Sequence, residues 1–166
     1  MQKGFLKGVH VPVIRNICSL LERVRYDAYV EAVFHAGKGT LWDKETGWTF
    51  PAEPTLPDIE KILAAKNPLR ITKTVQSVFH GNKDLVAFLH EKHIKEVHIV
   101  GVDTNDCVFA TALDSFGAGF YTYVIEECTA SSSGETIRAE AIDLLRNIDI
   151  TNHSKLIAEK ELVALD

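Results

Sequence analysis

The feature that most constrains the fold is an almost unbroken apolar run at residues 97–102, Val-His-Ile-Val-Gly-Val. Such a run is typical of a strand that is covered on both faces of a parallel sheet. A helical pattern follows it directly, and a second apolar stretch at 120–125 comes after the helix. The residues on the apolar face of that helix are Phe109, Ala112, Leu113 and Phe116. Strand and helix alternate, which predicts parallel strands joined by right-handed crossovers.

The other predicted elements continue this alternation. They are a helix from Pro12 to Val24, a strand at 28–34, a short strand at 69–72 that ends at Lys73, a helix after Asn82, a helix opened by a capping box at 132–135, and a last short strand at 148–151. Residues 37–57 are irregular and predict a functional surface loop. The sequence therefore predicts an α/β fold, a three-layer α/β/α sandwich around a mainly parallel sheet, in a single domain spanning residues 1–166.

Composition excludes several classes of function. The net charge of −5 provides no basic field for a phosphate backbone, so we expect no nucleic-acid partner. No apolar run approaches the roughly 20 residues of a membrane helix, and the first residues lack the pattern of a signal peptide, so we expect a cytoplasmic protein without a membrane partner. Neither dinucleotide nor phosphate-loop glycine motifs are present in the sequence. Three widely spaced cysteines predict free thiols.

One of these cysteines has the setting of a nucleophile. Cys107 falls in the first turn of the helix that follows the buried strand, where backbone N–H groups and the helix dipole favour a thiolate. Cys18 lies among apolar residues of the first helix, which predicts a packing role. Cys128 follows two glutamates, which raise a thiol pKa and make a poor nucleophile.

The segment around Cys107 resembles the isochorismatase-like cysteine hydrolases, which include nicotinamidases, N-carbamoylsarcosine amidases and isochorismatases. The resemblance rests on Gly-Val-x-Thr-x-x-Cys-Val at 101–108, Ala-Thr-Ala-Leu-Asp at 110–114 and Ser-Ser-Ser-Gly at 131–134. Ile-Thr-Lys at 71–73 followed by Ser-Val-Phe at 77–79 matches the lysine segment of the family. The resemblance extends through nearly the whole chain and implies a Rossmann-like sheet of the isochorismatase type.

The resemblance also implies a catalytic arrangement. Cys107 would attack a carbonyl carbon and form a thioester, and Lys73 would hold the thiolate ionised. A cis peptide bond between Val102 and Asp103 would let the backbone amides of Asp103 and Cys107 form an oxyanion hole. Such an arrangement has a physical rationale, because a cation stabilises the nucleophile and preorganised donors stabilise the oxyanion. The reaction would be hydrolysis of a small amide or related C–N bond, without an organic cofactor.

The chain departs from the family at its start. Met-Gln-Lys-Gly-Phe at 1–5 matches what should directly follow the family's catalytic aspartate, so that aspartate and its central strand would precede Met1. A misassigned start, a truncation and a loss of catalysis would each explain this, and we expect a missing segment. Strands left beside such a gap should be destabilised unless they close up. Asp103, Asp106 and Glu31 lie near strand ends as substitute carboxylates, but each is expected to be solvated or to cap a helix.

A second departure concerns metal. Nicotinamidases carry an Asp-x-His pattern and a further histidine after the second strand, whereas this segment holds only His35. We therefore expect no metal and doubt nicotinamide as the substrate. Phe5 matches an aromatic residue of the family's pocket, and Trp42 and Trp48 are candidates for the rest of its wall.

Two classes of function are thus compared. The first is a cysteine-dependent hydrolase that acts on a small-molecule substrate. The second is a non-catalytic or truncated relative that binds a small molecule or forms an oligomer, and the missing aspartate favours it. The resemblance implies a homo-oligomer, a dimer or larger, in either case.

Overall fold

The computed structural model describes residues 1–5, 11–51 and 53–150. A 3₁₀ turn, Lys3–Phe5, comes first. The helices are α1 (Val11–Arg23), α2 (Leu41–Thr46), α3 (Pro57–Ala64), α4 (Lys83–Glu91), α5 (Phe109–Gly117) and α6 (Glu135–Arg146), and a π-helical segment, Thr104–Val108, leads into α5. The strands are β1 (Val30–Phe34), β2 (Leu69–Lys73), β3 (Glu96–Val102) and β4 (Tyr121–Ala130).

The four strands of the described residues form two separate pairs, and each pair is parallel. β1 pairs with β2 and β3 pairs with β4, while β1 and β3 are not hydrogen-bonded to each other. An elongated cavity of about 330 Å³, here called the sheet slot, lies between them and is lined by Tyr29–Ala32 on one side and by every residue of β3 on the other. Among the residues that the structure describes, the expected gap in the sheet is therefore present, and β1 and β3 do not close it.

Helices cover both faces of the strands. On one face, α1 and α3 pack in a core of Ile17, Leu20 and Ile59, with Val100 and Val102 of β3 against them. On the other face, α5 and α6 pack on Ile99, Val124, Ile142 and Leu145, and α4 packs Leu85 and Leu89 near β2. Alternate residues of β3 thus enter two different cores, which explains its unbroken apolar sequence. The predicted α/β fold with three layers is confirmed.

Several local predictions were wrong. Residues 148–150 form a turn and an irregular end rather than a strand, and Thr151 lies outside the described residues. The predicted capping box does not form. The N-cap residue of α6 is Gly134, which has a φ of 102° and provides no side-chain cap. The segment at 37–57, predicted to be an irregular loop, contains α2, which begins at Thr40 with a side-chain cap and ends at the left-handed Gly47. No helix of the described residues is long and apolar enough to cross a membrane.

Candidate active site

Lys73 is a buried cation at the end of β2. Its side chain is held there because β2 ends inside the protein, and the residue is only 6% exposed. The ammonium group donates hydrogen bonds to the backbone carbonyls of Val75, at 3.0 Å, and Gln76. It also lies 5.1 Å from the centre of the Phe34 ring. These contacts fix a positive charge at the edge of the sheet where the strands end.

Cys107 lies at the same edge. The π-helical segment begins two residues after β3 and holds the partly buried thiol where the charge of Lys73 lowers its pKa. The thiol Sγ is 4.0 Å from Oδ2 of Asp106. Lys73 and Cys107 are far apart in sequence, and each lies at or just after the end of a strand, β2 for Lys73 and β3 for Cys107.

The protonation of Cys107 differs from the expectation of a ready thiolate. Burial raises the pKa of the Cys107 thiol, and the carboxylates of Asp106 and Asp103 raise it further. Lys73 lowers the same pKa without offsetting these effects. The prediction of a thiolate from its place at a helix start considered neither the burial of the thiol nor the carboxylates of Asp103 and Asp106. Together these raise the pKa of Cys107 by more than the charge of Lys73 lowers it.

The two acidic side chains beside Cys107 have different surroundings. The carboxylate of Asp103 accepts hydrogen bonds from the backbone N–H of Ser132, at 2.8 Å, and from its hydroxyl, at 2.5 Å. At Asp106, burial raises the pKa of the carboxyl, Lys73 lowers it and Asp103 raises it again, and the net shift is upwards. The ionised carboxylate of Asp106 is therefore a stronger proton acceptor than an ordinary aspartate.

The backbone at this edge has the form that the resemblance implies. The peptide bond between Val102 and Asp103 is cis. Asp103 and Cys107, whose amides are predicted to form the oxyanion hole, both line one cavity of about 290 Å³. The amide assignment itself stays a prediction.

Aromatic rings form the wall of this cavity, here called the aromatic cavity. Its lining residues are Gly4, Phe5, Phe34, Trp42, Trp48, Phe50, Gln76, Asp103, Asp106, Cys107 and Ser132. Phe5 stacks on Phe50 with ring centres 4.4 Å apart, and Trp48 stacks on Phe34 at 5.7 Å. The structure thus brings together all three aromatic residues singled out from the sequence. It adds Phe34 and Phe50, whose ring centres are 6.1 Å apart, and the backbone of Phe50 pairs with Ala36 in an antiparallel bridge. Phe34 is the last residue of a strand that the sequence predicts, so its place at the strand end could have marked it as a residue of the site.

The remaining candidates from the sequence lie elsewhere. Glu31 is buried at the sheet slot, where Oε2 is 2.9 Å from Nη1 of Arg70. Cys128 is fully buried, and burial together with Glu127 raises the pKa of its thiol to about 12. Burial, Asp58 and Glu22 also raise the pKa of the Cys18 thiol. These groups do not contribute to the aromatic cavity.

The residues near His35 do not fit a metal ion. The described part of the chain contains no group of three or more His, Cys, Asp or Glu side chains that could hold one. His35 stands alone at the end of β1, and its backbone N–H donates to the carbonyl of Lys73. No step of the chemistry below uses a metal.

Comparisons with known proteins identify the family to which the chain belongs. A family model described as Isochorismatase domain matches residues 1–154. The nicotinamidase of Schizosaccharomyces pombe is 31% identical over 140 residues, which cover 80% of this chain and 60% of that protein. An uncharacterized isochorismatase family protein of Bacillus subtilis, PncA, is 38% identical over 80 residues, 48% of this chain and 43% of the relative. The chain belongs to the isochorismatase family.

The fold of this chain is also similar to that of solved structures. An isochorismatase-like hydrolase from Alkaliphilus metalliredigens superposes with a TM-score of 0.73 at 20% identity, covering 91% of this chain and 89% of that one. At this identity the likeness shows the fold alone. The chain spans about two fifths to three fifths of the length of the two curated relatives.

Proposed function

We propose that this protein is a cysteine-dependent hydrolase that cleaves a small planar amide or a related C–N bond through a thioester at Cys107. One observation carries the proposal: the thiol of Cys107 and the carboxylate of Asp106 line a cavity walled by aromatic rings, and the charge of Lys73 lowers the pKa of both groups. A nucleophile, a cation and a proton acceptor in one partly enclosed site are the groups that acyl transfer requires.

The chemistry follows from the protonation states. Because the Cys107 thiol is protonated in the free protein, its proton passes to Asp106 as Sγ attacks the carbonyl carbon of the amide. Lys73 stabilises the negative charge on sulfur, and backbone N–H groups at Asp103 and Cys107 stabilise the oxyanion. The proton then passes from Asp106 to the leaving nitrogen, and the C–N bond breaks. Water attacks the thioester, releasing a carboxylic acid and restoring the thiol.

The aromatic cavity supports a planar substrate. Stacked rings of Phe5, Phe50, Phe34 and Trp48 present flat apolar surfaces, which suit an aromatic or heteroaromatic ring. The Schizosaccharomyces pombe relative is named for nicotinamide, and that amide belongs in the first panel of compounds.

The test is release of ammonia or amine from a panel of small amides, including nicotinamide, pyrazinamide, benzamide and N-carbamoyl amino acids. The proposal predicts turnover of at least one planar amide and complete loss in Cys107→Ala. Cys18→Ala is the matched control, because Cys18 lies in α1 outside the aromatic cavity, and it should keep the wild-type rate. Hydrolysis that survives in Cys107→Ala would overturn the proposal.

A non-catalytic role is the second candidate, and the neutral Cys107 thiol favours it. In that case the aromatic cavity would bind a planar small molecule without turning it over. Calorimetric binding of an amide that is never hydrolysed would establish this role. Assembly into a homo-oligomer stays a prediction under either function, and light scattering on the purified protein tests it.

A further inference from the structure

The rings that wall the aromatic cavity lie in several different planes. Trp42 stands at 73° to Trp48 and at 83° to Phe34, with ring centres 5.5 Å and 6.2 Å apart. Phe5 stands at 65° to Phe34, and Phe50 is tilted by 38° from Trp48. Rings in different planes bound a small ligand from more than one direction. The face of an aromatic ring is its electron-rich side, so such a wall attracts positive charge.

Two contacts show the electrostatic character of this wall. The indole N–H of Trp42 donates to the carbonyl of Thr74 at 3.2 Å, so its polar atom is already engaged and the carbon ring is what Trp42 offers to a ligand. The ammonium of Lys73 lies 5.1 Å from the centre of the Phe34 ring, which is the distance of a cation–π contact. One ring of the wall therefore already holds a cation.

The charged part of the cavity lining is acidic. Asp103 and Asp106 line the cavity, and its described lining residues include no lysine, arginine or histidine. A third carboxylate belongs to Glu53, whose Oε2 accepts a hydrogen bond from the backbone N–H of the lining residue Gly4 at 2.8 Å. A positive ligand is attracted by these carboxylates, and a negative ligand is repelled.

The ammonium of Lys73 does not reverse this balance. Lys73 lines the sheet slot rather than the aromatic cavity, and its ammonium donates to two backbone carbonyls. The thiol of Cys107 adds no charge, because burial raises its pKa. One positive charge therefore stands against the two negative charges of Asp103 and Asp106, which leaves the site negative.

Aromatic rings and carboxylates together are suited to an organic cation. A ring with a delocalised positive charge is as flat as a neutral ring, so it can stack in the same way, and it gains an attraction to the carboxylates. A ring that bears its own carboxylate has the same shape but is repelled by Asp103 and Asp106. Shape thus selects for planarity, and charge selects among planar ligands.

We infer that the aromatic cavity selects a planar amide whose ring carries a delocalised positive charge, of the pyridinium type, over neutral and anionic rings of the same shape. The inference rests on the proposed function only for the amide group of the ligand. The charge preference is a property of the cavity, and it is measured by binding without turnover.

Calorimetric titration of the Cys107→Ala variant with three probes of one shape tests this inference. This variant lacks the thiol that would form a thioester, so no probe is consumed through it. The probes are 1-methylnicotinamide, which is a cation, 3-methylbenzamide, which is neutral, and 3-carbamoylbenzoate, which is an anion. We expect the Kd of the cation to be lower than that of the neutral amide by about tenfold or more, and the anion to bind most weakly.

Three results would overturn the inference. The first is equal affinity for 1-methylnicotinamide and 3-methylbenzamide, which would show that the cavity reads shape alone. The second is tighter binding of the neutral or the anionic probe. The third is a lack of binding of the cation at millimolar concentrations.

Two matched substitutions, made in the Cys107→Ala background, identify the source of the preference. Asp106→Asn removes one negative charge from the lining with little change of shape, whereas Asp114→Asn makes the same change at an exposed residue of α5 outside the cavity. We expect Asp106→Asn to reduce the preference for the cation over 3-methylbenzamide by about fivefold and Asp114→Asn to leave it unchanged. An equal preference in the two variants would contradict the role of the carboxylate.

Trp48→Leu tests the aromatic half of the inference, and it serves if Asp106→Asn does not fold. Trp48 is exposed, so leucine keeps apolar bulk at this position without disturbing the core. We expect affinity for the cation to fall more than affinity for 3-methylbenzamide, because only the cation loses an attraction to the electron-rich ring face. An equal loss for the two probes would contradict that attraction.

Failure of this inference and failure of the proposed hydrolysis are distinguishable. A preference for the cation in Cys107→Ala supports the inference even if the wild type hydrolyses no amide. Hydrolysis of a neutral amide by the wild type, together with no charge preference in binding, overturns the inference and leaves the proposed hydrolysis in place.

Discussion

Sγ of Cys107 and Oδ2 of Asp106 lie 4.0 Å apart, and burial raises the pKa of both side chains. The transfer of a proton during attack starts from a neutral thiol beside an ionised carboxylate, and the raised pKa of Asp106 makes that carboxylate a stronger proton acceptor. Lys73 lowers both pKa values by its charge. The cation thus keeps Asp106 ionised before the transfer and stabilises the thiolate that forms.

The reactivity of Cys107 towards an alkylating reagent should depend on these charges in a defined direction. Asp106→Asn removes a negative charge that raises the pKa of the thiol, so we expect faster modification by iodoacetamide near neutral pH. Lys73→Met removes the charge that lowers it, so we expect slower modification. The measurement is the rate of labelling of the Cys107 peptide against pH, with Cys18 in the same sample as the reference. Slower labelling in Asp106→Asn would contradict this electrostatic account.

Lys73 should be required for turnover as well as for thiol ionisation. We expect Lys73→Met to reduce kcat/KM for a planar amide by roughly 10²–10³-fold, the range found when one stabilising group of an oxyanion or anion is lost. Lys73→Arg keeps the charge and should recover part of the rate. Steady-state kinetics of the two variants, with melting curves as a check of folding, make the comparison. Equal losses in both variants would point to packing rather than charge.

Trp48 should contribute to substrate binding more than to the chemical step. It is 38% exposed and stacks on Phe34, so its removal opens the aromatic wall without emptying the core. We expect Trp48→Ala to raise KM about tenfold with a smaller change in kcat, because stacking contacts act in both the ground and the transition state. Tyr121→Ala, at an exposed aromatic residue outside the cavity, should leave both constants unchanged. A fall in kcat with constant KM would contradict the binding role.

His98 should make the protein sensitive to mild acid. Its ring lies among Tyr26, whose hydroxyl is 2.8 Å from Nδ1, and Glu96, whose carboxylate is 2.5 Å from Nε2. Burial lowers the pKa of His98, and Glu96 offsets this only in part. The unfolded chain therefore binds a proton more readily than the folded one below pH of about 6.5, and stability falls as the pH decreases through that value towards the lowered pKa.

The measurement for His98 is the melting temperature between neutral and mildly acidic pH. We expect His98→Gln to flatten the acid-side decrease, and His80→Gln, at an exposed histidine, to leave the slope as it is in the wild type. An unchanged slope in His98→Gln would show that another group governs the acid sensitivity.

The sequence predicted the fold where the signal was local. The apolar run of β3 and the helical spacing of α1 and α5 each depend on neighbours within one element, and these elements form as expected. α3 was missed because its start at Pro57 lies in a segment dominated by Pro, Gly and Trp, and its helical face is only eight residues long. Residues 148–150 read Ile-Asp-Ile, an alternation that resembles a strand in sequence, but only Ile150 packs in a core and Ile148 is exposed.

The sequence named the candidate site residues but did not predict the direction in which the pKa of the Cys107 thiol is shifted. Cys107 was singled out by its place after a buried strand, Lys73 and Phe5 by the resemblance to the family, and Trp42 and Trp48 by their place in the irregular segment. The raised pKa of the Cys107 thiol was not predicted, because its largest cause is burial, which only the folded chain shows; Asp106, its neighbour in sequence, raises the pKa further.

The central claim is that Cys107 forms a covalent thioester with a small planar amide. Its most direct test is intact-protein mass spectrometry of rapidly quenched reactions, followed by peptide mapping of the modified residue. The account predicts an added mass equal to the acyl group of the substrate, located on the peptide that contains Cys107 and lacking in Cys107→Ala. Release of ammonia without an acyl adduct, and at the same rate in Cys107→Ala, would contradict it.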